Sequence, residues 1–128
     1  MSTRSLTFVY DGNTPVVCLY RQMDGYPAGM GKELAAFLAP FKLVSGLSLD
    51  ETQSAIANGM GCLAAQMVRH FKSGPGSIYL VPTKKANHGQ AYEYHIYEDT
   101  VTIQESGIKT PLFSGTWAEF KGFCNPRH

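Results

Sequence analysis

Long apolar runs, paired cysteines and an excess of one charge are all missing from this chain. No stretch approaches the roughly 18 apolar residues that a membrane-spanning helix needs, and no continuous apolar segment follows Met1 as it would in a secretory signal. We therefore expect a cytoplasmic protein with no membrane partner.

Cysteine is scarce and widely spaced. The three cysteines, Cys18, Cys62 and Cys124, form no C-x-x-C pair, and neither H-x-x-x-H nor a paired Cys/His spacing occurs. A disulfide framework and a zinc site both need such spacings. We expect reduced thiols, no metal and no cofactor.

Charge is nearly balanced, with 11 Lys and Arg against 10 Asp and Glu and no run of five like charges. Bulk electrostatics therefore gives no attraction to a long nucleic acid. What the chain does have is 44% apolar residues in a length of 128, which is enough for a single domain, 1–128, with its own core.

Two strand pairs are indicated. Residues 5–10 and 14–21 are rich in β-branched and aromatic side chains and flank an Asp-Gly turn, which favours a hairpin, and residues 77–81 form a further strand. A second hairpin joins 91–97 to 100–104 through the turn 98–99. It pairs Ile96 with Val101, Tyr94 with Ile103, His95 with Thr102, and Glu93 with Gln104.

Helical periodicity occupies the middle of the chain. A first helix begins between residues 29 and 32, with Leu34, Phe37, Leu38 and Phe41 on its apolar face, and ends at Pro40. After a connector over 43–49, Ser48 and Glu51 are spaced as a capping box, and 50–58 is a short helix or turn. The clearest helical stripe then runs from Met60 to Phe71 and stops at the glycine-rich segment 73–76.

Residues 116–120 predict a short closing helix capped by Thr116. Strands at both ends and helices between them indicate an α+β fold, a mainly antiparallel sheet with two principal helices packed on one face.

The sequences Gly29-Met30-Gly31 and Gly59-Met60-Gly61 both precede helical patterns. Unpaired backbone N–H groups and the helix dipole make such an entry a natural anion site. The loop between Arg21 and Lys32 adds two cations to the first turn, although it is not a phosphate-binding P-loop because Glu33 stands where Ser or Thr would bind magnesium. We expect ligand contacts from Arg21, Asp24, Gly25, Tyr26, Gly29, Gly31, Lys32, Asn58, Gly59, Gly61 and His95.

Structural explanations stand beside these roles. The first turn can be a tight connection in which Asp24 caps a backbone N–H, and the second can be a close helix contact. His95 could act as an acid or base with Asp24 or Glu93, or be an ordinary strand histidine. Cys62 could be a nucleophile, or a buried thiol. Tyrosines that could stack on a base are Tyr20, Tyr26, Tyr92, Tyr94 and Tyr97.

The segments Leu-Tyr-Arg-Gln-Met-Asp-Gly-Tyr-Pro (19–27), Gly-Lys-Glu-Leu-Ala (31–35) and Ala-Asn-Gly-Met-Gly-Cys-Leu-Ala-Ala (57–65) resemble a family of small uncharacterised bacteriophage and prophage proteins. The resemblance implies a phage context and supplies no catalytic residue. By analogy, some phage proteins of this size sequester nucleotide signals of host defence without converting them.

These observations favour a non-enzymatic protein that binds a small anionic, nucleotide-like ligand in the host cytoplasm, as a homo-oligomer. Two alternatives remain: a phosphoester hydrolase with Asp24 and His95 as acid and base, and an inhibitor that docks its aromatic surface on a protein partner. The absence of a nucleophile–base pair in the sequence favours binding over catalysis.

Overall fold

A computed structural model describes residues 2–46, 55–84 and 86–125 of the chain. Its strands are β1 (Ser5–Asp11), β2 (Thr14–Arg21), β3 (Lys42–Val44), β4 (Ile56–Asn58), β5 (Ile78–Val81), β6 (Tyr92–Ile96), β7 (Thr100–Glu105) and β8 (Phe113–Thr116). Its helices are α1 (Lys32–Leu38), α2 (Gly59–Phe71) and α3 (Trp117–Cys124), and a π-helical turn (Pro27–Gly31) leads directly into α1.

Within the described residues, six strands form one sheet in the order β5-β2-β1-β6-β7-β8. Every neighbouring pair is antiparallel except β1 and β6, which are parallel and lie at the centre. The fold is therefore α+β with a mainly antiparallel sheet, as the sequence predicts.

The two faces of the sheet are covered differently. Val9, Leu19, Tyr94, Ile96, Val101 and Ile103 belong to the main core together with apolar side chains of all three helices. Alternate residues of the same strands point the other way, and there Leu6, Phe8 and Cys18 form a smaller cluster that contains no residue of the described helices. We call this side of the sheet the helix-free face. Because strand side chains alternate between faces, the helix-free face also carries Glu93 and His95.

The predicted strand pairings are confirmed. The first hairpin turns at Gly12-Asn13, where Gly12 has φ +63°, a conformation that glycine adopts without strain. The second hairpin has the register that the alternation of apolar side chains requires, with Ile96 opposite Val101 and His95 opposite Thr102. The α2 stripe is also confirmed, since Leu63 and Met67 are fully buried.

Three elements differ from the sequence expectation. The connector over 43–49 and the short helix or turn over 50–58 are partly replaced by β3 and β4, which form a small parallel pair. Each of these strands has only three residues, so the alternation of apolar and polar side chains that marks a strand cannot be recognised in the sequence. The proposed capping box of Ser48 and Glu51 lies outside the described residues.

At the C-terminal end, the pattern indicates only a closing helix, yet β8 precedes it and pairs with β7. The helix itself is confirmed and extends to Cys124. Thr116 caps it as expected: its hydroxyl accepts the Glu119 N–H at 3.1 Å, and the Glu119 carboxylate accepts the Thr116 N–H at 2.8 Å.

Candidate functional site

The first glycine turn is closed by its own backbone. The N–H of Gly29 donates to the Tyr26 carbonyl at 2.9 Å, and the N–H of Met30 donates to the Asp24 carbonyl at 2.8 Å. The Gly31 N–H also points at the Tyr26 carbonyl, at 3.5 Å. The expectation of unpaired donors at Gly29 and Gly31 is therefore corrected, because the π-helical turn supplies internal acceptors where an α-helix would leave orphan amides.

Arg21 joins this turn to the start of α1. Its guanidinium donates to the Met23 carbonyl at 2.7 Å and to the Glu33 carboxylate at 3.0 Å, and it also reaches the Met30 sulfur at 3.2 Å. These protein acceptors take three of the five N–H donors of the guanidinium that the sequence assigns to a ligand. Lys32 is exposed on the surface next to it.

Asp24, Gly25 and Tyr26 shape the same turn. The Tyr26 hydroxyl donates to the Asp24 carboxylate at 3.1 Å, and this hydrogen bond raises the pKa of the Tyr26 phenol. Gly25 is buried, and its carbonyl accepts the hydroxyl of the fully buried Tyr94 at 2.7 Å. A Cβ at Gly25 would lie 2.7 Å from the Cβ of Ser5, so close packing explains this glycine.

The second glycine turn begins α2. Gly59 has φ +81°, and the Asn58 side chain accepts the N–H of Gly46 at 2.7 Å instead of capping the helix. Gly61 is exposed, with open space around its Cα. Asn58 and Gly59 line a shallow pocket of about 360 Å³ together with Glu98, whose carboxylate disfavours an anion.

The two turns do not converge. The first lies where β2 ends and β1 begins, since Gly25 packs on Ser5. The second lies beside Glu98, which follows the far end of β6. Because β1 and β6 are parallel, these places are at opposite ends of the sheet.

A larger concave surface lies elsewhere, on the helix-free face. This sheet cleft has a volume of about 1040 Å³. Phe8, Tyr10, Glu93 and His95 lie on its floor. One wall is formed by Thr83, Ala86, Asn87 and Gln90, and the other by the segment between Gln104 and Lys109. The sheet cleft contains only one of the predicted ligand residues, His95.

A hydrogen-bonded chain crosses the floor of the sheet cleft. The Tyr10 hydroxyl oxygen lies 2.6 Å from Nδ1 of His95, and Nε2 of His95 lies 3.1 Å from Oε1 of Glu93. The Phe8 and His95 rings are stacked with centroids 5.0 Å apart, and Tyr97 stacks on Tyr10 at 4.4 Å. The rings fix the imidazole orientation, and the hydrogen bonds engage both of its nitrogens.

Burial, followed by the neighbouring Tyr97 and the charge of Glu93, raises the pKa of Tyr10 well above its usual value. Burial, with Glu93 as the smaller cause, also raises the pKa of the Cys18 thiol to about 12. Both groups therefore stay protonated at neutral pH, so neither provides an activated nucleophile.

Hydrogen bonds of the Asn87 and Gln90 side-chain amides stabilise the wall that these residues form. Gln90 accepts the His88 N–H at 2.7 Å and donates to the Ala86 carbonyl at 3.2 Å and to the Glu93 carboxylate at 3.0 Å. Asn87 accepts the N–H of Gly89 at 2.8 Å. The Glu93 carboxylate thus contacts both Gln90 of the wall and His95.

Of the charged groups that line the sheet cleft in the described part of the chain, two are acidic, Glu93 and Glu105, and one is basic, Lys109. The polar lining is completed by the amides Asn87, Gln90 and Gln104. Such a surface suits a ligand with a planar polar ring better than a compact multivalent anion.

Asp24 and His95 do not form a pair. Asp24 lies in the first turn against Tyr26, whereas the carboxylate beside His95 is Glu93, the second partner that the sequence suggests. Among the tyrosines considered for stacking, Tyr20 and Tyr97 lie on the helix-free face, Tyr94 is in the core, Tyr92 packs beside the core and Tyr26 is exposed.

The cysteines are free thiols. Cys62 is half-buried in the first turn of α2, where its sulfur accepts a hydrogen bond from Gln66 at 3.5 Å. Among the described residues, no three His, Cys, Asp or Glu side chains are grouped so that they could hold a metal ion. None of the described helices has the length and apolar character needed to cross a bilayer.

Sequence reasoning missed most of the sheet cleft. Phe8 and Tyr10 belong to a predicted strand, and no sequence pattern marks Asn87, Gln90 or Lys109 as a ligand residue. One signal was present: Phe8 and Tyr10 share one face of their strand, and His95 and Tyr97 share one face of theirs. What brings the two pairs together is the parallel pairing of β1 with β6, which no local pattern reveals.

Comparisons with protein-family models, curated proteins and solved structures found no match to this chain. The resemblance to phage proteins therefore stays a prediction.

Proposed function

We propose that this protein binds a small nucleotide-like ligand in the sheet cleft and does not convert it. The observation that carries the proposal is the cleft itself, which has a volume of about 1040 Å³ and the half-buried Tyr10 and His95 rings on its floor. Ligand sites are usually concave and largely apolar, with a few polar groups that fix orientation. Aromatic side chains on an open sheet face are also a common platform for nucleobases.

The polar lining supports the same class of ligand. The side-chain amides of Asn87 and Gln104 keep hydrogen-bonding positions beyond their contacts with Gly89 and Ile108 and can match the edge of a base. Among the described lining residues, Lys109 is the cation that can approach a phosphate, so we propose that the phosphate lies at that wall. The base then lies over the floor, away from Glu105.

Binding without turnover is supported by the way the reactive groups are engaged. Both nitrogens of His95 have protein partners, and the Tyr10 and Cys18 pKa values are raised. A general base needs a free nitrogen within reach of the substrate proton. From the phage resemblance we propose that the protein acts in the host cytoplasm and that the ligand it sequesters is a signal of host defence. We propose that it does so as a homo-oligomer.

Native mass spectrometry of the protein purified from cells tests the proposal first. A co-purifying nucleotide, rebound by the emptied protein and recovered unchanged after long incubation, is the expected result. The same spectrum reports the oligomeric state. An empty protein that binds none of a panel of nucleotides and cyclic dinucleotides would contradict the proposal and favour the protein-partner alternative.

Charge reversal locates the site. Lys109→Glu should weaken nucleotide binding about tenfold, because it removes one attraction and adds one repulsion at a partly solvated position. Lys32→Glu, the same change at the first glycine turn, should leave affinity unchanged. Calorimetry on both variants decides between the two places: the opposite result would return the site to the first turn.

A hydrolase is the second candidate, and the specific observation in its favour is the contact of His95 with Glu93 at 3.1 Å. A histidine–carboxylate pair is a common acid–base arrangement. Product formation by the wild type that falls by about 10²–10⁴ in His95→Ala, with binding retained, would establish it.

A further inference from the structure

The direction of the hydrogen bonds on the cleft floor follows from the chemistry of the three groups. An ionised Glu93 carboxylate only accepts, so Nε2 of His95 carries a proton and donates to it across 3.1 Å. In a neutral imidazole the other nitrogen is then bare. Nδ1 therefore accepts, and the single hydroxyl proton of Tyr10 points at it across 2.6 Å.

This arrangement determines what Tyr10 offers to the sheet cleft. With its proton engaged by His95, the hydroxyl oxygen can only accept further hydrogen bonds. Burial raises the pKa of Tyr10, so the proton is not lost and the oxygen does not become a phenolate at neutral pH. The Tyr97 ring stacks on Tyr10 from the same face of the sheet, and Tyr10 itself lines the cleft.

We propose that Tyr10 is a specificity-determining hydrogen-bond acceptor, whose polarity is fixed by His95 and Glu93, and that it selects ring ligands carrying an N–H donor. Ligands of this class include bases with an exocyclic amino group. Rings that present only an acceptor at that position are disfavoured, because two facing acceptors leave both lone pairs unpaired. This selectivity rests on the ligand site proposed above.

Matched ligand pairs test this selectivity. The probes are AMP, GMP and CMP, each compared by calorimetry with the nucleotide that lacks only the exocyclic amino group: purine riboside monophosphate, IMP and pyrimidin-2-one riboside monophosphate. At least one amino-bearing member should bind about tenfold or more tightly than its partner at neutral pH. In Tyr10→Phe the two should bind alike, and in the matched control Tyr20→Phe, on the same sheet face but outside the cleft lining, the preference should persist.

Equal binding within every pair, or a preference that survives in Tyr10→Phe, would overturn the selectivity while leaving the ligand site intact. If no probe binds and no nucleotide co-purifies, the proposal of a nucleotide site in the sheet cleft is wrong, and the proposed selectivity of Tyr10 fails with it.

Nitrogen NMR of the ligand-free protein gives a readout that does not depend on any ligand. The His95 signal, assigned by its loss in His95→Gln, should show the tautomer with Nε2 protonated and Nδ1 bare. A proton on Nδ1 would overturn the proposed polarity of Tyr10, whatever the ligands do.

Discussion

At the scale of single residues, Gly25 is a predicted ligand residue whose presence is explained by close packing. It is buried under the first residues of β1, and a Cβ there would lie 2.7 Å from the Ser5 Cβ and 2.9 Å from the Arg4 carbonyl carbon. Real Cβ atoms do not approach backbone that closely, so the turn or the strand would have to shift.

Gly25→Ala should therefore destabilise the protein by about 1–3 kcal/mol in urea unfolding, as expected for overpacking. The matched control is Gly122→Ala in α3, where a Cβ meets nothing within 4 Å. That change should be neutral or stabilise by about 0.5–1 kcal/mol, because alanine is the better helix former. Equal effects of the two substitutions would show that the turn around Gly25 is loose.

At the scale of elements, the fully buried Leu63 places the apolar face of α2 against the sheet. Leu63→Ala should lower the free energy of unfolding by about 2–5 kcal/mol, because it removes buried methyl groups and leaves a cavity. Leu80→Ala makes the same chemical change on β5, where the leucine is 59% exposed, and should cost less than about 0.5 kcal/mol. A large effect at Leu80 would instead show that β5 is covered in solution.

The elements that the sequence predicts well are those with a complete local period. The stripe from Met60 to Phe71 spans more than three turns of α2, and the second hairpin alternates without a break, so both are confirmed in place and register. β3, β4 and β8 are three or four residues long and depend on partners distant in sequence. No local pattern specifies such pairings.

At the scale of the whole molecule, the cleft arises from topology and not from any one motif. The chain leaves β5 at one edge of the sheet and reaches β6 at its centre, and residues 86–90 lie over the helix-free face between them. The contact between the Tyr20 and His88 rings, 6.1 Å apart, marks that crossing. The sequence alone predicts that His95 lies on the polar face of its strand. It does not predict that Tyr10 and Gln90 lie beside the His95–Glu93 pair, because that depends on how distant strands are arranged in the fold.

Alkaline pH should destabilise the fold, because folding raises the pKa values of two cysteines and two tyrosines in the two hydrophobic clusters. Burial raises the pKa of Cys18 to about 12 and that of Cys124 to about 11, and it raises the pKa values of Tyr10 and Tyr94 well above their usual range. A group whose pKa is raised on folding holds its proton more tightly in the native state. Its contribution is complete below the unfolded pKa and is lost as pH rises toward the folded value.

The loss should begin near pH 8.5, where unfolded cysteine ionises, and steepen near pH 10, where unfolded tyrosine follows. Thermal melts across about pH 7 to 11 should therefore show a Tm that falls with increasing slope. Replacing Cys18 and Cys124 together by alanine removes the two thiols and should flatten the first part of the fall, between about pH 8.5 and 10, while leaving the tyrosine part. A Tm that stays constant to pH 11 would show that these thiols and phenols ionise as freely in the native protein as in the unfolded chain. A double variant with an unchanged profile would show the same for the two thiols.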